Sequence, residues 1–443
     1  MPKKNKKSGK KNVAKRTAAS TKHHEKPGSV VKAVSPDQLR AAASRWGTIV
    51  SLLIIAVLAG LYWSTKPENC HTLSRYEPVW TFLSKYGIAQ RPTEATMTHV
   101  CSRVHSATHA CLFLSGGTEN VTGKAHNGFA STWNQVAHVF GKSKVSDMTY
   151  APSLLYKRDP RDALFAVTWG VALLALRGVL MSVLLLPTAR RLVKRPPPEK
   201  WVQAGHQRKY YRSIDRFAEQ FWIFLLYATS LMLVVTVSRR QPFWLWNPEQ
   251  LWAGYPHTTM DGLTKAVYLW EASNYIHQLF VINIEARRSD YVQMTVHHIV
   301  TMMLIGGSYV CCFWRIGLVI LLLMDPSDIL LALAKMLKYM GWQTICDAMF
   351  GAFMISWTIT RHVCYMFVMV TCIYDAPRLI PYRSPVDLQA GYAFTPALYV
   401  MFITLLGVLQ SILLIWFGMI LKVAYRVLTN AGAIDSRSDD DSD

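Results

Sequence analysis

The sequence predicts an all-α, polytopic membrane protein with about eight transmembrane helices. Three observations predict it. Of the 443 residues 51% are hydrophobic and only 17% are charged, yet the formal net charge is +21. The apolar residues gather in runs long enough to cross hydrocarbon. Lys and Arg gather at the N-terminus and between those runs, the pattern of basic cytosolic loops. Nucleic-acid binding would account for the basicity but not for the apolar runs, so no nucleic-acid partner is expected.

The elements follow in order. Residues 1–45 are Lys-rich with almost no large apolar group, and read as a disordered cytosolic arm. They lack the early apolar core of a cleaved signal peptide. The first apolar run, Thr48 to Trp63, ends in the interfacial pair Tyr62 and Trp63, giving a span over 46–64. Residues 65–161 are polar and contain Asn120-Val121-Thr122, a glycosylation acceptor if the first run is a span and this segment luminal. Cys70, Cys101 and Cys111 share the segment; three cysteines leave the disulfide pair open. The other five, Cys311, Cys312, Cys346, Cys364 and Cys372, lie in or beside apolar runs and read as small hydrophobes.

The second run, 162–187, is closed by Pro187, and a basic linker with Pro196-Pro197-Pro198 follows. Further runs lie at 220–238, 262–285, 291–312, 315–334, 345–374 and 396–425. Eight spans put both termini in the cytosol. Arg190, Arg191, Lys194, Arg287, Arg288, Lys335 and Lys338 then fall inside, while Arg239 and Arg240 fall outside against the rule. Phe243, Trp244, Trp246 and Trp252 form an interfacial aromatic belt. The tail, 429–443, is acidic; Ser436 and Ser438 each precede an Asp by three residues. That suits acid-directed kinases, and equally a plain soluble tail.

Ionisable groups inside a bilayer need a reason. The densest set sits in three consecutive runs: Glu271, Asn274 and His277; then His297-His298; then Asp325 and Asp328. At 1.5 Å per helical residue, each cluster lies roughly 10–15 Å from the same membrane face. Asp325 and Asp328 share a helix face. Adjacent His297 and His298 point about 100° apart, so one imidazole reacts while the other positions or binds. An imidazole can act as general base or as a transient acyl acceptor. A carboxylate on its other ring nitrogen would fix the tautomer, a role open to Asp325 or Asp328.

The rival readings are packing histidines and a metal site. Di-iron hydroxylases carry several histidine boxes, whereas this chain has one His pair, so no metal or other cofactor is expected. Arg361 and His362 fall some sixteen residues into the seventh run, nearer the lumen; Arg361 is set either to meet a lipid headgroup or to snorkel. Phe350, Phe353 and Trp357 read as packing. Met302, Met303 and Met324 line a tunnel or fill the core.

Arg287-Arg288-Ser289-Asp290-Tyr291, His297-His298, Met324-Asp325-Pro326-Ser327-Asp328 and Ala334-Lys335-Met336-Leu337-Lys338-Tyr339 together resemble the longevity-assurance signature of eukaryotic ceramide synthases, within the broader TLC domain. The similarity covers roughly 205–428, and the acidic tail is of the fungal type. The resemblance implies a six-helix bundle with an internal cytosol-open cavity, preceded by two extra spans, in the endoplasmic reticulum. It implies transfer of a fatty acyl group from acyl-CoA to the amine of a sphingoid base, sphinganine or phytosphingosine. His297, His298, Asp325 and Asp328 match the residues held essential. Arg287, Arg288, Lys335 and Lys338 are candidates for the CoA phosphates, and Asn274, His277 and Arg361 for other substrate contacts. Membrane lipids, a small single-span regulatory subunit and a homo- or heterodimer are the implied partners. Pro326 stands where many relatives have a small or aliphatic residue, and can kink the helix. The alternative from another class is a non-catalytic TLC protein, a lipid sensor or translocation helper.

Overall fold

The computed structural model describes residues 36–66, 94–115, 155–197, 204–241, 247–285 and 289–429. Asn120, Cys70, Arg287, Arg288, Ser436 and Ser438 lie outside them, as does most of the basic arm.

The fold is a bundle of long helices. Helix α1, Pro36–Ser64, starts inside the stretch read as disordered, with proline in its first turn where no N–H is needed. A polar helix, α2 (Glu94–Leu112), occupies part of the segment read as structureless. In that segment Cys101 is disulfide-bonded and Cys111 is free. Strand β1, Leu155–Lys157, follows.

Helix α3 begins as Asp162–Leu180, passes through a π-helical turn, Met181–Leu185, and continues as Leu186–Leu192. Pro187 therefore does not end it. The wider turn just before the ring absorbs the clash that a proline makes with the preceding turn. Helix α4, Ala204–Ser238, starts well before the apolar run that announced it. Its basic N-terminal turns are good helix formers. They also bury Tyr210, Ile214, Phe217 and Trp222 at helical spacing.

A helical turn, Glu249–Trp252, leads to β2, Thr259–Asp261, which pairs antiparallel with β1, Tyr156 opposite Met260. Three-residue strands are too short to announce themselves by alternation. The remaining helices are α5 (Gly262–Ile284), α6 (Tyr291–Val310), α7 (Trp314–Met340), α8 and α9 (Pro396–Leu428). Asp261 caps α5 by accepting from Thr264 N, and Thr395 caps α9 by accepting from Leu398 N. Gly341, at φ +81°, ends α7 in the left-handed conformation. Helix α8 runs Gln343–Trp357, then a π-helical turn Thr358–Cys364, then Tyr365–Leu379.

Among the described residues six helices (α1, α3, α4, α7, α8 and α9) are long and apolar enough to cross a membrane. Helices α5 and α6, of 23 and 20 residues, have the length but carry the polar clusters that dilute their apolar character. With them, and leaving aside the polar α2, eight long helices make up the multi-pass bundle among the described residues. Its main core is built from α5 to α9, and a second core joins α3, α4 and Met336 of α7.

The two ends of the bundle differ. At one end, here the floor, Tyr255 stacks on Phe313 at 4.9 Å and donates from its hydroxyl to Cys311 O at 3.0 Å. A buried cluster also lies there. Lys265 Nζ, on α5 and fully buried, pairs with Asp162 Oδ2 of α3 at 2.9 Å and donates to Ser115 O at 2.5 Å and Lys157 O at 2.9 Å. Tyr309 of α6 donates to the same Asp162 oxygen at 2.7 Å. One ammonium thereby fastens α3, β1 and the end of α2's segment to α5. At the opposite end, here the mouth, Arg177 pairs with Glu285 at 2.5 Å, joining α3 to α5.

Candidate active site

Four helices bring the polar clusters to one depth. Helix α6 carries the His pair. His298 is buried, 3% exposed; its Nδ1 lies 2.8 Å from Met294 O and its Nε2 3.2 Å from Gln278 Oε1 of α5. His297 turns the other way, its ring 5.4 Å from that of His298 and 5.2 Å from Trp416 of α9. Its Nδ1 is buried without a hydrogen-bond partner.

Helix α7 supplies the carboxylates and continues unbroken through Pro326. Asp328 pairs with Arg361 Nη2 at 2.8 Å. Asp325 is 1% exposed, and its Oδ2 has no partner. Neither carboxylate bonds a His ring nitrogen, so the sequence expectation that Asp325 or Asp328 fixes a histidine tautomer is corrected. Arg361 explains it: its Nη2 donates to Asp328 Oδ2 at 2.8 Å and to Met324 O at 2.7 Å. The guanidinium lies 4.1 Å from the Trp357 ring centre.

Arg361 is not turned outward, as either sequence reading required: it is 3% exposed and enclosed by protein. The π-helical turn that contains it adds a residue to the helical course and swings Arg361 onto α7.

Asn274, fully buried, is a correction of another kind. Its Nδ2 donates to Ser230 Oγ at 3.5 Å and its Oδ1 accepts from Gln278 Nε2 at 3.0 Å, so it sits behind the site rather than in it. His277 packs edge-on to Trp222 at 5.6 Å. Gln278, Tyr227 and Ser230 are the residues that sequence reading missed. The available signal was the i,i+4 spacing of Asn274 and Gln278 on the polar face of α5.

Two cavities meet at His297. A polar chamber of about 1210 Å³ opens at the mouth, where Glu285, Asp290 and Lys335 line it, and reaches His297, His298, Asp328 and Arg361. An apolar chamber of about 870 Å³ runs from His297 past Thr301, Leu304 and Met324 to an aromatic end at Phe313 and Phe394. A groove of about 770 Å³ lies between α7, α8 and α9, contains Lys338, and shares Lys335, Trp357 and Trp416 with the polar chamber. Asp325 and Asn274 line none of these three. Met303 is half exposed on the outer surface, so of the three methionines read as tunnel candidates only Met324 lines the chamber. Among the described residues, no group of three or more His, Cys, Asp or Glu side chains is arranged to hold a metal ion.

Residues 216–422 match the TLC domain family. The chain is 38% identical over 292 residues to sphingosine N-acyltransferase lag1 of Schizosaccharomyces pombe, covering 66% of this chain and 71% of that protein. It is 34% identical to the sphingosine N-acyltransferase-like protein ALT7 of Alternaria alternata, over 64% of this chain and 68% of the relative. Ceramide synthase 4 of Mus musculus is 32% identical over 52% of this chain and 55% of its own. The likeness spans the helices that build both chambers, and the chain belongs to the TLC-domain family of sphingosine N-acyltransferases, the ceramide synthases.

Proposed function

We propose that the chain is a ceramide synthase that moves a fatty acyl group from acyl-CoA to the amine of sphinganine or phytosphingosine. In this reading it lies in the endoplasmic reticulum membrane, with the mouth and both termini cytosolic. The observation that carries the reading is that His297 belongs to a polar chamber and an apolar one at once. A thioester has the same division: a charged nucleotide head, a reacting carbonyl and an apolar tail.

Lys335 at the mouth, with Arg287 and Arg288 of the α5–α6 turn, would take the CoA phosphates. The acyl tail would fill the apolar chamber and set the carbonyl beside His297. The groove between α7, α8 and α9 would admit the sphingoid base from the membrane. His297 has the freer ring, so it acts as the base or acyl acceptor. In the transfer the amine nitrogen bonds the carbonyl carbon, the carbon–sulfur bond breaks, and the amine proton passes through imidazole to the CoA thiolate. A thioester is already activated, so this route needs no metal.

The test is purified protein with labelled acyl-CoA and sphinganine, with and without candidate single-span or dimeric partner subunits. An amide product supports the reading; none under any combination sinks it. A second expectation concerns chain length. Leu304 lies seven residues beyond His297 on α6, roughly 10 Å into the chamber. Each buried methylene is worth about 0.8 kcal/mol. Leu304→Trp should cost long acyl-CoA several buried methylenes and shift preference toward short chains by about tenfold or more. An acyl-CoA length panel reads this, and an unchanged profile would exclude the chamber as the tail site.

A further inference from the structure

We propose that Gln278 is a positioning residue whose side-chain amide turns over with the charge of His298. This rests on the acyltransferase reading of the site. It goes beyond it in assigning a proton-holding role to the second histidine.

The argument is one of donors and acceptors. A carbonyl only accepts, so the contact with Met294 O places a proton on Nδ1 of His298. Nε2 faces Gln278 Oε1, another acceptor. With the amide turned this way both ring nitrogens donate, the arrangement that suits an imidazolium. The rest of the network agrees: Tyr227 O–H donates to Gln278 Oε1 at 3.0 Å, Gln278 Nε2 donates to Asn274 Oδ1, and Asn274 Nδ2 donates to Ser230 Oγ.

Half a turn of the Gln278 amide gives a second complete set. Its NH₂ then donates to Nε2 of a neutral ring and to the Tyr227 oxygen. A matching turn of Asn274 lets its NH₂ donate to the Gln278 oxygen and its own oxygen accept from the Ser230 hydroxyl. Ser230 Oγ accepts from Trp270 Nε1, at 3.1 Å, in both sets. His298 can thus gain or lose a proton at Nε2 while Gln278 and Asn274 both stay bonded, the Ser230 hydroxyl turning from Glu271 to Asn274. A deeply buried imidazole otherwise pays for its charge in full.

The remaining charged and titratable groups around the ring come from every element packed against it. Tyr227 comes from α4; Tyr275, 5.7 Å away, Glu271, His277 and Glu285 come from α5; His297, Asp290 and Tyr291 from α6 and its start. Asp325, Asp328 and Lys335 come from α7 and Arg361 from α8, while α9 presents Trp416. Asp328 is held by Arg361.

The experiment compares Gln278→Glu and Gln278→Met in the full-length protein. A carboxylate can only accept, so Q278E holds the proton on His298 more tightly; the acidic limb of the kcat/KM profile should move up by about one pH unit, an activity loss of about tenfold at pH values below the wild-type limb. The methionine offers no N–H and little acceptor strength, so Q278M should move the limb the other way. The KM for acyl-CoA should stay within about threefold in both. Nitrogen-15 spectra of histidine-labelled protein, with His298→Asn to assign the signal, should show the same opposite displacements without turnover. Limbs and spectra that stay put, in variants that still form amide, would overturn the relay and leave the acyltransferase reading standing. Displaced spectra in a wild-type protein that forms no amide would sink the function and keep the relay.

Discussion

His297→Ala should lower amide turnover by about 10³-fold or more while acyl-CoA binding changes by less than about threefold. The asymmetry follows from where the ring sits. It is the side chain on which the polar and apolar chambers converge, but the tail is held by Leu304, Met324 and the aromatic end beyond them. Removing an imidazole there takes away the reacting group and leaves the tail's walls intact. His298→Ala should be milder, about 10²-fold, because its ring nitrogens are already occupied by Met294 and Gln278. Single-turnover kinetics with radiolabelled acyl-CoA separate binding from transfer. Equal losses in the two variants, or a large fall in affinity for H297A, would reverse the division of labour between the rings.

Lys265→Met carries the largest expected effect on stability. Its ammonium and the Asp162 carboxylate are 0% and 2% exposed, so water does not soften the loss. Breaking one side of a buried pair typically costs about 3–5 kcal/mol, because the other charge is left without a partner. Here Tyr309 also depends on Asp162, and two backbone carbonyls depend on Lys265. Detergent-solubilised K265M should unfold well below wild type. The double variant Lys265→Met, Asp162→Leu should recover part of the difference, since an apolar pair leaves no stranded charge. A single variant as stable as wild type would mean that the cluster does not hold the bundle.

Much of the fold was legible because hydrocarbon imposes length on its helices. The runs beginning near Tyr291 and Arg315 correspond to α6 and α7 within a few residues, and the shared depth of the His and Asp clusters followed from helical rise alone. What escaped notice has identifiable causes. Lys265 drew no notice at the edge of an apolar run, because its carbonyl partners, Lys157 of β1 and Ser115 just beyond α2, are more than a hundred residues away in sequence. Arg361 was given an outward role because its position in the sequence shows neither the π-helical turn that carries it nor the Asp328 and Met324 oxygens that it meets. Gln278 was passed over because neutral amides carry no charge signal, although they are well suited to link a histidine to a distant hydroxyl. Pro187 was taken as a stop, since a sequence does not reveal that a π-helical turn precedes it.

The turn at Thr358–Cys364 has a genetic corollary. Losing one codon there would let the stretch close into ordinary α-helix, because the wide turn already absorbs one extra residue, and the helix beyond would keep nearly its present phase. Trp357 and Phe353 would keep their seats, and so would Tyr365, Val368 and Cys372, all buried now. A frame-preserving deletion of a single amino acid should thus spare the packing of α8 at this spot and cost chiefly the aim of Arg361, whereas the same deletion a few turns away would rotate the buried face by about 100°.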